Sequence, residues 1–348
     1  MLRILKKTGQ TVRLTAVLIG TVVGAGFVSG AELVRFFPSR NFVPYVFFAV
    51  FLMFFGFSFL FFCGKKYGGY EGTLCTVFKK FAPAVRVVVL LSSLMTAAGM
   101  LAGLDSVMLE GFGVPKRLPV LSVCVLVCVY FLSSKGTTAI GWINLCLVPA
   151  ILAFIGSLAF GDVELNYAFT PAGDSFSSLC LIMSYAGMNV FLAAPIVCDL
   201  AAKNKNCTGA AAAASVAIGA GIVIILANIF ASGANAIGAD MPLLAVMGAD
   251  SLAGKVFAAV SAFGIVTTLF SSWYPLHERA MRSRRPTAVR VALCAAAFIL
   301  SRFGLKNIVG AVYPVLGGAG IVFLCACALA AVKSGRGARK KARVKVRL

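Results

Sequence analysis

Charge is scarce in this 348-residue chain: only 12 % of residues are Asp, Glu, Lys or Arg, and acids number 11. Soluble domains carry about 25 %, so a water-bathed surface is excluded. A single histidine, His277, argues against a histidine-built metal centre. The 11 cysteines are scattered, most of them inside apolar runs (Cys124, Cys128, Cys146, Cys180, Cys294, Cys325, Cys327), and behave there as small hydrophobes. No nucleotide loop, His/Glu metal motif or buried Ser/Lys pair is visible, which disfavours an integral-membrane enzyme. Nor does the amino terminus carry a small-residue cleavage site of the signal-peptide kind.

Apolar length is abundant instead. Hydrophobic residues make up 60 % of the chain, with a mean hydropathy of +0.97. The runs are continuous rather than alternating, which points to transmembrane helices and not a β-barrel. Polar punctuation predicts ten spans: 11–37, 42–63, 85–112, 118–134, 137–160, 175–201, 208–233, 255–276, 287–303 and 307–332. The expected organisation is residues 1–10 as a cytoplasmic terminus, 11–160 and 175–332 as two five-helix halves, and 333–348 as a basic cytoplasmic tail.

The net charge of +21 does not imply nucleic acid, because the 32 basic residues cluster between spans. One set of loops holds most of them, including Lys65, Lys66, Lys79, Lys80, Arg86, Arg279, Arg282, Arg284, Arg285 and the eight in Lys333–Leu348; the opposite set holds Arg35, Arg40, Lys116, Arg117, Lys255, Arg302 and Lys306. That asymmetry predicts both termini inside. The tail would favour anionic lipid, and no obligate protein partner is indicated. Tyr70–Phe81 reads as an amphipathic piece on the inner face. The loops Gly161–Asp174 and Ala234–Gly254 fall outside; Met241–Met247 in the latter fits either a re-entrant or an interfacial helix.

The first span is interrupted. Gly20-Thr-Val-Val-Gly24-Ala-Gly26-Phe-Val-Ser-Gly30 places three glycines in the seven positions from Gly24 to Gly30. Backbone at membrane depth must bond internally, so a break is tolerated only where it lines a protein-buried cavity or solute site. Span six carries Ser184-Tyr-Ala-Gly-Met-Asn189 and then Pro195, a second polar, glycine-containing centre at the matching place in the second half. Two halves of five spans must run in opposite senses, the pattern of an inverted five-plus-five repeat with its solute site between the two breaks. Individually these glycines also fit close helix packing.

At Gly24-Ala-Gly-Phe-Val-Ser-Gly-Ala-Glu32, followed by Phe36-Phe37, the chain resembles the first-helix signature of the YkvI-like bacterial membrane proteins, amino-acid permeases of the amino acid–polyamine–cation superfamily with the LeuT-type fold. The resemblance implies an all-α protein of the bacterial cytoplasmic membrane, with helices one and six broken, that carries a small amino-acid-like solute. It implies that the backbone N–H groups of Ala25, Gly26 and Phe27 beside Gly24 receive a substrate carboxylate. It also implies that the carbonyls around Gly20 and Val23 receive a cation or the substrate ammonium, and that span eight, where Gly264, Thr267 and Thr268 share one face, holds a sodium ion against helix one. Those hydroxyls equally suit bonds back to their own helix. Phe27 stands where two-sodium relatives place an amide, which argues against a second ion.

Other candidates follow from residue type. Asp105 would meet a substrate amine, and Tyr185, Gly187 and Asn189 would line the second break. Acids inside a membrane are functional suspects: Glu32 reads as a gate or coupling carboxylate or as a structural partner of Arg35, and Asp199 as a gate or anchor near Lys203. Tyr313-Pro314 reads as a kink and Phe47–Phe62 as lipid-facing and packing surface. The leading expectation is a secondary active transporter of an amino acid or similar small zwitterion by sodium-coupled symport, with a proton-coupled or exchange permease as the alternative. A non-transporting receptor on the same scaffold would need a partner-binding element beyond the short tail, and a channel would not need paired broken helices.

Overall fold

The computed structural model describes residues 2–115, 119–133, 136–160, 175–204 and 208–345. Among these, every regular element is a helix. The first span begins as α1 (Leu2–Val22), stops at Val23–Gly24, resumes as α2 (Ala25–Ser29), and turns at Gly30 into α3 (Ala31–Phe36). Gly30 has φ +84°, a left-handed conformation that a side chain would strain.

The phenylalanine-rich α4 (Phe42–Tyr67) follows, then the short α5 (Tyr70–Phe78) and the long α6 (Ala82–Phe112). Gly68 and Gly69, both at positive φ, close α4 and let the Gly69 N–H bond back to Gly64 O at 2.8 Å. The α4 sequence serves two surfaces. Met53, Phe57 and Leu60 are buried, whereas Phe47, Phe51, Phe55 and Phe62 form an exposed aromatic stripe. In water such a stripe would be a liability; in a bilayer it is solvent contact.

Next come α7 (Val120–Leu132), α8 (Gly136–Ser157), α9 (Ser175–Lys203) and α10 (Thr208–Ala231). Two short helices, α11 (Ala234–Gly238) and α12 (Pro242–Met247), lead to α13 (Leu252–Met281), α14 (Pro286–Ser301) and α15 (Leu305–Lys345). The Ser251 hydroxyl caps α13 by accepting the Gly254 N–H at 2.9 Å. Among the described residues, six helical stretches are long and apolar enough to cross a membrane, and three shorter apolar helices accompany them. This is a multi-helix membrane protein. α15 continues through Lys345, so the basic tail prolongs the last helix. The loop 161–174 lies outside the described residues.

Helix packing puts the broken segment at the centre. α1 lies on α8 and α10, α2 touches α6, α12 and α13, and α3 meets α9, α10 and α15. α4 runs along α9 and α10, α9 along α15, and α6 against α13 and α14. Small residues permit the closest crossings. A side chain at Gly64 would strike the Cys198 backbone, and one at Gly56 would strike Val190.

The expected second break is absent: α9 is one helix from Ser175 to Lys203 despite Pro195. Its polar centre is used otherwise. Asn189 Nδ2 donates to Tyr185 O of its own helix at 2.9 Å, so its amide supports the helix rather than a loosened backbone. Gly187 packs against α15, where an added Cβ would lie 3.0 Å from Gly317 O and 3.1 Å from Ile321. The glycine buys a close crossing, not an unwound turn.

Candidate functional site

The interruption follows from hydrogen bonds. The Val23 N–H still reaches back to Ile19 O at 2.8 Å, but Gly24 is extended and its N–H bonds Val22 O at 2.9 Å. In a regular helix that N–H would have gone to Gly20 O. The Gly20 carbonyl thus lacks its usual partner and instead accepts the Thr268 hydroxyl of α13 at 2.9 Å. Residues 248 positions apart are brought together by one missing helical bond.

The surrounding residues are small because the approach is close. A Cβ on Gly24 would meet Thr268 Oγ1 at 3.1 Å and Met100 Sδ at 3.0 Å; one on Gly264 would lie 3.4 Å from Val23 O. A side chain at Gly20 would collide with the carboxamide of Asn144, a buried residue of α8. Gly20, Val23, Gly24, Gly264 and Thr268 therefore converge. Thr267 is buried too, but its hydroxyl bonds Gly264 O of its own helix at 2.8 Å. The converging atoms are carbonyl, hydroxyl and amide oxygens, a donor set suited to a hard cation such as sodium. Asn144 and Met100 were not singled out from the sequence; an amide inside the apolar fifth span was the available signal for the former.

A second cluster lies beyond the break. Because Gly30 resets the chain direction, Glu32 turns inward and folds over Gly26, whose Cβ, were there one, would lie 2.8 Å from Glu32 Oε2. Glu32 is 4 % exposed. Asn189 stands within bonding reach of its carboxyl, and Tyr185 and Tyr313 are near enough to feel its charge. Tyr185 packs against Phe36 and Phe37 at ring-centroid distances of 5.5 and 5.3 Å. Phe27 is fully buried, with its ring near Gly221 of α10. The anticipated Glu32–Arg35 pair is not formed among the described residues: Arg35 faces outward while Glu32 faces in.

The other two acids expected at functional positions, Asp105 and Asp199, are engaged elsewhere. Asp105 pairs with Arg302 just after α14, so its charge is already met by the protein, contrary to the expectation that it awaits a substrate amine. Asp199 is not paired with Lys203. Its Oδ1 accepts the Tyr70 N–H at 2.8 Å and its Oδ2 accepts the Tyr274 hydroxyl at 2.6 Å, tying α5 and α13 to α9. Nearby, Arg86 grips Glu71 with two bonds of 3.1 and 2.6 Å, and Arg282 reaches Glu71 at 3.6 Å. These groups line a cleft of about 160 Å³ at the α5 end. At the other end, Arg35, Pro242, Lys306 and Val309 border a cleft of about 440 Å³. α12 packs between α2, α10 and α13 with Leu243 and Leu244 buried, so Met241–Met247 caps the broken segment from that side.

No protein-family model matches the chain. It is 24 % identical over 335 residues to the membrane protein YkvI of Bacillus subtilis (strain 168), spanning 91 % of this chain and 94 % of that protein. Among solved structures it resembles MhsT in complex with L-phenylalanine, with a TM-score of 0.65 and 16 % identity over 89 % of this chain and 87 % of that one. It also resembles Mhp1, a nucleobase-cation-symport-1 family transporter, in a closed conformation with bromovinylhydantoin bound: TM-score 0.56, 17 % identity, 89 % of this chain and 75 % of that one. The YkvI-like resemblance read from the first helix therefore stands, and the fold is of the LeuT type.

Proposed function

We propose that this chain is a secondary active transporter for an amino acid or similar small solute, working by alternating access and driven by sodium. The observation that carries the reading is the interrupted first helix whose Gly20 carbonyl meets Thr268 of α13. A helix broken at mid-chain, with its exposed carbonyl turned to another helix's hydroxyl, is how a transporter builds an ion site without a carboxylate. Sodium would be held by the carbonyls of Gly20 and Val23 with Thr268, while Thr267 must turn from Gly264 O to contribute.

Ten spans in two inverted halves are part of the same reading. Matching α1–α3 with α9, α4 with α10, α6 with α13, α7 with α14 and α8 with α15 carries the main packing pairs onto one another. Thus α1 on α8 corresponds to α9 on α15, α4 on α9 to α10 on α1, α8 on α13 to α15 on α6, and α14 on α6 to α7 on α13. This exchange supports a repeat although the second half keeps its first helix whole.

The solute would lie beside the break, near Gly24, Ala25, Gly26 and Phe27, with Tyr185 and Asn189 opposite. The basic loops put the termini and the α5-end cleft on the cytoplasmic side. Opening there requires α9 to part from α13, and the Asp199–Tyr274 bond spans that boundary. Likeness to MhsT, solved with L-phenylalanine, and to Mhp1, solved with a hydantoin, supports a compact solute rather than a polymer. Purified protein in proteoliposomes, offered radiolabelled amino acids with and without an inward sodium gradient, tests the reading. Gradient-dependent accumulation is expected; specific binding without uptake or counterflow of any solute would make it a receptor.

A further inference from the structure

Glu32 is a carboxyl group buried inside a membrane helix with no cation beside it. Its Oε1 has no hydrogen-bond partner, and neither has the Tyr185 hydroxyl. Glu71 and Asp105 pair with arginines, no ion pair is seen to Glu32 among the described residues, and Arg35 on the same short helix is exposed. An ionised carboxylate removed from water costs several kcal/mol unless it is paired and bonded. Two unmet buried polar atoms, one on Glu32 and one on the Tyr185 ring that packs against Phe36 a turn along from it, also need an explanation, and a missing ligand is one.

The walls specify that ligand. Phe36, Phe37, Tyr185 and Tyr313 are all buried and aromatic, and ring faces attract cations. The one ionisable side chain in the cluster besides the phenols is the acid Glu32. What suits an acceptor carboxylate, a phenol oxygen and aromatic faces together is a group with several N–H donors and a positive charge, an alkylammonium. A carboxylate here would meet Glu32 as a like charge, because Glu32 already lies over Gly26, where the family resemblance would seat a substrate carboxylate.

We propose that Glu32, with Tyr185 and the Phe36–Phe37 aromatic pair, forms the seat for the ammonium group of the solute, so that primary amines are recognised whether or not they carry a carboxylate. Glu32 is the counter-ion and Tyr185 contributes its hydroxyl. Asn189, bonded to its own helix, holds the carboxyl in place by its second N–H. The proposal takes the location of the solute from the transporter reading but stands on binding alone.

The test uses the full-length protein in detergent with two sets of related solutes: L-phenylalanine, 2-phenylethylamine and 3-phenylpropionate; and L-leucine, isoamylamine and 4-methylvalerate. Binding is read by titration calorimetry, without any ion gradient, and thermal unfolding checks that each variant is folded. An amine is expected to bind within about tenfold of its amino acid or tighter, and the acid lacking nitrogen is expected not to compete. Glu32→Gln should weaken the amine by about 100-fold, and Glu32→Asp should recover part of the loss. If Glu32→Gln unfolds, Tyr185→Phe should weaken the amines selectively. The proposal is overturned if neither amine binds at millimolar concentration, if an acid lacking nitrogen binds as well as its amine, or if Glu32→Gln leaves amine affinity unchanged, as it would were Glu32 only a proton carrier. Proteoliposome uptake separates the two ideas. Amine binding without uptake keeps this seat and removes the transporter, whereas uptake of the nitrogen-free acids, insensitive to Glu32→Gln, keeps the transporter and removes the seat.

Discussion

Thr268 shows how much one side chain settles. Its hydroxyl takes the carbonyl that the broken helix leaves behind, at 2.9 Å and fully inside the protein. Thr268→Ala removes one oxygen from the proposed ion shell. A hydrogen bond or ligand contact to a charged partner contributes about 1.5–3 kcal/mol, so the sodium concentration for half-maximal uptake should rise by about tenfold or more. Thermal unfolding in the absence of sodium should change little by comparison, since a neutral hydrogen bond contributes about 1 kcal/mol. Unchanged sodium activation in the variant would remove the ion assignment. Thr267→Ala gives a smaller effect on the geometry seen here, because the Thr267 hydroxyl is committed to Gly264.

For single elements, the first and sixth spans make an instructive pair. Both carry glycine with a polar neighbour, and both read as breaks in the sequence. The first does break: Gly24 is extended, Gly30 is left-handed, and the carbonyl left over at Gly20 is met by the Thr268 hydroxyl of α13. The sixth stays helical because Gly187 and Ser184 face Gly317 and Gly320 of α15 at a crossing that only small residues permit. Sequence alone could not separate the two uses of glycine, since they differ in what lies opposite. Gly187→Val should therefore act first on stability, through overpacking of about 1–3 kcal/mol. A lower thermal midpoint for the purified protein, with uptake per folded molecule falling in parallel, is the expected result. A normal midpoint with abolished uptake would instead restore a solute-lining role for this position.

Considered as one body, the molecule is tied shut at the α5 end by side chains from four helices. Asp199 binds Tyr274 across the α9–α13 boundary, and Glu71 bridges α5 to Arg86 of α6 and Arg282 beside α13. Under the proposed alternating access, these contacts would have to break in turn. Tyr274→Phe keeps the ring and removes the 2.6 Å bond. It should favour the state open at this end. A cysteine introduced at Leu90, on the cleft wall, in a background lacking the exposed native cysteines, should then react several-fold faster with a membrane-impermeant thiol reagent from the side carrying the termini. No change in reactivity would mean that Asp199 only anchors α5.

Apolar run length, the scarcity of charge and the loop distribution of lysine and arginine determined that this is a helical membrane protein, because lipid accepts few other arrangements of backbone. The glycines of the first span made a break possible there, since the left-handed backbone at Gly30 favours a residue without a Cβ, but what lies opposite decided that this span breaks and the sixth does not. Which acids are satisfied was decided by tertiary structure: Asp105 by Arg302 after α14, Asp199 by Tyr70 and Tyr274, and Glu32 by no cation among the described residues. Those pairings join residues far apart in the chain. Coulombic and hydrogen-bond energies depend on distances in space, and the distances exist only once the helices are packed.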